Sequence, residues 1–166
     1  MKILIKLSLS GIILYYAISQ YSDKNSGLLK ELQYLSLPLT ITLVIVFFIA
    51  VAFYCQTLQR CLTLISPKNR KASPNSVWMM FLLPYNFIED FFIIINISNS
   101  LEEEAKFNKK LVGINDYGMV MGVGWSIAQI LSLIPNIAGQ VASVLGLLLW
   151  IFHWGFIKRV NRLLDN

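Results

Sequence analysis

Histidine occurs once in these 166 residues, cysteine twice, and charged side chains make up only 14% of the chain. Each scarcity excludes something. A transition-metal site draws on several His and Cys ligands at close spacing, and one His with two isolated Cys cannot supply them. No metal or other cofactor is expected. The short catalytic signatures are missing too: no G-x-S-x-G, no H-E-x-x-H, no P-loop and no dinucleotide fingerprint. The chain is therefore read as non-enzymatic. Cys55 and Cys61 fall on roughly opposite faces of a helix, where they cannot bridge. S-acylation of a juxtamembrane cysteine is chemically open to them, but a packed thiol is the expected state.

The shortage of charge excludes an ordinary soluble domain, whose wetted surface needs about 25% charged residues. Here 56% of residues are apolar, the mean hydropathy is +0.62, and the charges sit in short blocks between long uncharged runs. Such runs need lipid or one another. The net charge of +5 then reads as the basic bias of cytoplasmic loops, not as a nucleic-acid footprint.

What is present is a series of apolar stretches. The first, residues 3–19, carries Lys2 and Lys6. Lys6 interrupts the run and Tyr15–Ser19 makes a poor cleavage site, so a retained helix with snorkelling lysines is expected over a cleaved signal peptide. Asp23–Gly27 reads as a turn and Lys30-Glu31 as a polar connection. Residues 37–55 form the clearest span, with Pro38 suited to a first helical turn. Its β-branched and aromatic residues would favour a strand in water, but a lone strand cannot satisfy its backbone in lipid. The helix is expected to run on to Leu64 and stop at Ser66-Pro67. Two further spans are predicted over 117–134 and 138–157, separated by Pro135-Asn136.

The stretch that decides the topology is 76–98, apolar but broken by Pro84 and Asn86 and followed by Glu89 and Asp90. If it crossed, Lys106, Lys109, Lys110, Lys158, Arg159 and Arg162 would all lie outside, against the positive-inside rule. If it enters and leaves on the cytoplasmic side, only Lys24 and Lys30 of the 14 basic residues lie outside. Arg60, Lys68, Arg70, Lys71, Lys158, Arg159 and Arg162 are then the residues that determine topology. From Asn86 onward, Glu89, Asp90, Asn96 and Ser100 share about a third of a helix circumference, at about 100° per residue. The fold class expected is all-α: four transmembrane helices, one re-entrant or interfacial segment over 76–98, a surface helix over 99–111, and both termini cytoplasmic. Ser98 or Asn99 would cap that surface helix, a Glu102–Lys106 pair would support it, and its charges would face solvent.

The candidate polar-site residues are Asn86, Glu89, Asp90 and His153. Ionisable residues at membrane depth are expensive and therefore suggest function. The two carboxylates could line an ion or proton path, pair with Arg60 or Lys71, or face water at the interface. His153 sits between Trp150 and Trp154, where an interfacial anchor is expected. Gln129 and Gln140 suit interhelical hydrogen bonds, and the tryptophans (Trp78, Trp125, Trp150 and Trp154) suit interfacial belts and packing. Small residues at helical spacing, Gly118, Gly122 and Ser126 on one span and Gly139, Ala142, Ser143 and Gly146 on the next, predict a close antiparallel hairpin.

The run Ser66-Pro67-Lys68-Asn69-Arg70, Ser73-Pro74, Val77-Trp78, Pro84-Tyr85-Asn86, Ser98-Asn99-Ser100-Leu101 and Gly124-Trp125 resembles a family of small bacterial multi-span membrane proteins carrying a domain of unknown function. The likeness covers about residues 50–135. It departs between Pro84 and Asn86, where the family tends to place two residues and this chain has only Tyr85. It implies a bacterial inner (plasma) membrane location and brings no biochemical activity with it. The expected role is that of an accessory subunit or small scaffold, in contact with the lipid bilayer and with a membrane-protein partner or further copies of itself. The alternatives are a small homo-oligomeric channel or transporter with Glu89 and Asp90 on its path, and a lipid-modifying enzyme using His153 or the acid pair as base.

Overall fold

Pro38 occupies the first turn of a helix that runs unbroken from Leu37 to Leu64 and stops where Ile65 is extended and Ser66, held out of the helical region by Pro67, follows it. In the computed structural model, residues 2–22, 36–82, 85–134 and 136–165 are described, excluding the side chains of 2–4, 14, 17, 18 and 20–22. The expected turn at Asp23–Gly27, the Lys30-Glu31 connection, Pro84, Pro135 and the snorkelling of Lys2 fall outside that description.

The described residues form helices and no strand: α1 (Lys2–Ser22), α2 (Leu37–Leu64), α3 (Asn86–Ala105), α4 (Met119–Leu131) and α5 (Ile137–Asp165), with 3-10 turns at Pro67–Asn69, Pro74–Phe81 and Lys109–Leu111. Two of them, α2 and α5, are long and apolar enough to cross a membrane. α4 is shorter than the span predicted over 117–134. Its 13 residues cover about 20 Å, against roughly 30 Å of hydrocarbon. It starts late because Tyr117 and Gly118 take positive φ, 50° and 81°. Gly118 suits that left-handed conformation, and a side chain there would meet the Phe156 ring.

α2 and α5 are parallel neighbours, with Phe47 against Trp150, Tyr54 against His153 and Thr57 bonded by Trp154 and Asn161. Along both helices the environment changes sharply. On α2, residues 41–49 are all exposed, whereas Tyr54, Cys55, Leu58, Cys61, Leu62 and Ile65 are buried. The chain thus has an apolar half that is bare in the monomer and a packed half with a true core. Each fully buried Leu or Ile of that core contributes about 1.5–3 kcal/mol through burial.

The central stretch supplies much of that core. Trp78 donates to Gln59, Phe81 stacks on Phe48, and α3 then returns until Glu104 meets Ser66. Measured along α2, the chain descends about 16 Å from the level of Gln59 to that of Phe48 and climbs back. Its apolar residues Val77, Met80, Ile93, Ile94 and Ile97 are buried inside the protein.

The surface helix expected over 99–111 is not a separate element. α3 continues through it to Ala105, so Ser98 and Asn99 are mid-helix and cap nothing. Ser98 instead donates to the Tyr117 carbonyl. Lys106 pairs with Glu103 at 2.9 Å in place of Glu102, and that hydrogen bond holds the exposed Glu103 carboxyl below its usual range. Glu104 does not face solvent as the other acids do. It is buried and accepts from Ser66 N–H, the Ser66 hydroxyl and Asn69 Nδ2 at 3.0, 3.1 and 2.7 Å. The basic loop is therefore a built structure as well as a run of charge. Arg70 caps the end of α2 by donating to the Thr63 and Ile65 carbonyls, and the Lys71 amide donates to Ser100.

Candidate functional site

Glu89 and Asp90 are adjacent in sequence, but 100° of helical rotation sends them to different surroundings. Glu89 turns toward α1 and pairs with Lys6 at 2.6 Å, so its partner is neither Arg60 nor Lys71. Lys6 also lies 4.0 Å over the Phe92 ring, a cation–π contact. Asp90 turns inward, between α2, α4 and α5, and is 2% exposed.

Asp90 lines a cavity of about 330 Å³. Its polar groups are Asn86, Asp90, Gln129, Ser132 and Ser143; aromatic wall comes from Tyr54, Trp125 and Trp150, and Phe47, Phe48 and Leu147 stand toward its rim. The first turn of α3 is what brings Asn86 and Asp90 to this depth, because the broken segment ends there. Gln129 lines the same cavity from α4. Asn86 Oδ1, Asp90 Oδ1, Gln129 Oε1 and Trp150 Nε1 are buried with no hydrogen-bond partner. Buried polar atoms in that state are uncommon and costly, and four of them meet at one cavity.

Beneath it lies an aromatic cluster centred on Tyr54. Its ring meets Trp125, Trp150 and Trp154 edge-on at centroid distances of 5.7, 5.6 and 6.0 Å, a favoured geometry for aromatic pairs. Its hydroxyl is 2.8 Å from His153 Nδ1. His153 is completely buried, which corrects its expected place as an interfacial anchor. It does not line the cavity, and its ring packs on Phe156. Gln140 is exposed on α5, where its backbone carbonyl accepts the Ser143 hydroxyl; an interhelical role was expected of it.

The small residues occupy several different contacts. A side chain at Gly122 would sit 2.4 Å from Ile94 and 3.0 Å from His153, so this position joins α3, α4 and α5. Ser126 is buried and bonds back to the Gly122 carbonyl. Gly146 faces Ala128 across the α4–α5 hairpin, Ala142 is buried there, and Ser143 reaches the cavity. Gly139 makes room for its own turn, against the Ile134 carbonyl. The topology residues are on the packed half. Arg60 pairs with Asp165, Lys71 with Glu103 at 3.8 Å, and Lys68 and Lys158 lie over Phe107 and Trp154. Arg159 and Arg162 are exposed.

Both cysteines are buried and free. Burial pushes the Cys61 thiol up to about 12, so almost none of it is thiolate at neutral pH. A maleimide applied to the folded protein in mild detergent at pH 7.5 is expected to leave both thiols unmodified, and full labelling should require denaturant. Rapid labelling of native protein, read by intact mass, would contradict this packing and reopen acylation.

Sequence reasoning found Asn86 and Asp90 but missed the cavity role of Tyr54, Trp125, Gln129 and Trp150. Their spacing in the chain carries no sign that they converge. The arrangement defines a helical protein with a polar-floored, aromatic-walled cavity beside an exposed apolar half. Compared with known protein families, with curated proteins and with solved structures, the chain matches none.

Proposed function

We propose that this is a non-enzymatic integral membrane protein of the bacterial inner membrane that acts as an accessory subunit or small scaffold. The observation that carries this is the bare N-terminal half of α2, exposed throughout 41–49 and apolar there except for Thr42. A helix without a self-contained packing face is suited to lipid and partner helices. In this reading α1, α2, α4 and α5 span, α4 with help from its flanking residues, and the segment from Pro74 to α3 is re-entrant. The packed half lies in the cytoplasm and carries the basic residues. The Arg60–Asp165 pair supports it, since it ties the end of α5 to that half.

A homo-oligomeric channel is the second reading, favoured by the unpartnered Asp90 oxygen at depth. Glu89 fits it less well, because Lys6 neutralises it; four spans in one protomer enclose little volume, so the pore would form between several copies. Native mass spectrometry of tagged protein extracted from its own membrane separates the two. Stoichiometric foreign subunits are the expected result. A homo-oligomer alone would replace the accessory reading with the channel.

A further inference from the structure

The cavity beside Asp90 has a chemistry that selects its occupant. Its unpartnered floor atoms are three acceptors, Asn86 Oδ1, Asp90 Oδ1 and Gln129 Oε1. The side chains that carry them, Asn86, Asp90 and Gln129, all line the cavity. What is missing is therefore a set of donors. A primary ammonium carries three N–H groups and a positive charge. Aromatic wall from Tyr54, Trp125 and Trp150 suits a cation further. A quaternary ammonium has no N–H and would leave the oxygens unpaired, and an anion would bring further acceptors to a floor that already lacks donors.

Two more observations narrow the class. The Trp150 indole N–H also lacks a partner, which calls for an acceptor near the nitrogen, such as the oxygen of an aminoalcohol. Phe47, Phe48 and Leu147 are exposed on the apolar half at the cavity's edge, where a hydrocarbon chain can lie. About 330 Å³ is at the small end for ligand pockets, enough for a head group and not for a whole lipid.

We propose that this cavity binds the primary ammonium group of an amphiphilic amine from the lipid-facing side, with Asp90 as its counter-charge. The source is either an ethanolamine-type phospholipid or a free long-chain amine. The site goes beyond the accessory-subunit reading, and a protein that co-purifies with no partner would leave it intact.

The test is competitive binding to the full chain in mild detergent, read by native mass spectrometry. The probes are ethanolamine, choline and glycerol phospholipids with identical acyl chains, and dodecylamine. Wild type is expected to hold a primary-amine probe at least tenfold more tightly than the choline and glycerol lipids. Preference for the ethanolamine lipid identifies a lipid source; binding of dodecylamine without it identifies a free amine. Asp90→Asn should erase the preference while circular dichroism stays unchanged. If that variant fails to fold, Ser143→Leu, which narrows the cavity without touching Asp90, should erase it as well. Equal binding of all head groups by wild type, no binding of any, or a preference that survives in a folded variant would overturn the proposal.

Discussion

Glu104→Ala should lower the unfolding free energy by about 2–4 kcal/mol, while Glu102→Ala and Glu103→Ala stay within about 0.5 kcal/mol of wild type. The three acids are consecutive, and their surroundings decide the difference. Glu102 is exposed, and Glu103 makes ion pairs near the surface with Lys71 and Lys106, which are worth little. Glu104 is 7% exposed and is the acceptor for three donors of the Ser66–Asn69 turn. Alanine would leave those donors facing a hole, and each unsatisfied buried group costs about 1–3 kcal/mol before water relieves part of it. Glu104→Gln keeps one carbonyl oxygen and should fall between. Thermal unfolding in detergent followed by tryptophan emission gives the ranking, and hydrogen exchange at the Ser66 amide gives the place. An unchanged melting point for Glu104→Ala would mean that the turn is held without it, by Arg70 and the Lys71–Ser100 bond.

Gly139→Ala is expected to destabilise by about 3 kcal/mol, and Gly155→Ala on the same helix to stabilise by up to about 1 kcal/mol. Helix propensity alone favours alanine at both positions. At Gly155 nothing lies within 4 Å of the new methyl group, so propensity wins. At Gly139 the methyl carbon would sit 1.9 Å from the Ile134 carbonyl oxygen, a backbone atom that no rotamer change can move. The turn between α4 and α5 must open instead. That disturbs Asn136, whose side chain caps α5 by accepting from the Ala138 and Gly139 amides at 2.9 and 3.1 Å. Paired melting curves test this directly, and shifts of the same sign would show that propensity, not the turn, governs Gly139.

The two positions also show how far the sequence could be read. Gly139 stood out among small residues at four-residue spacing, and that spacing anticipates helices packed face to face. It could not reveal that this glycine makes room for a carbonyl in its own turn while Gly122 sits between Ile94 and His153. Spacing reports which face of a helix a residue shares, and it is silent on what lies opposite. The same limit explains Glu104: its charge block reads as solvated until the Ser66–Asn69 turn is seen folded across it.

By itself the sequence determined the helical class, the long apolar helices of α2 and α5, the stop at Ser66-Pro67 and an interruption of the central stretch ahead of the helix that starts at Asn86. Those follow from local chemistry, because hydropathy, proline and the need to satisfy backbone groups act within a few residues. Only the tertiary structure decided that the central stretch is core, that Glu89 and Asp90 part company, and that His153 is buried against Tyr54. It alone brought Asn86, Asp90, Gln129 and Trp150 around one cavity. The reason is physical: these residues come from three helices, and their meeting depends on how the helices pack, which no local pattern encodes.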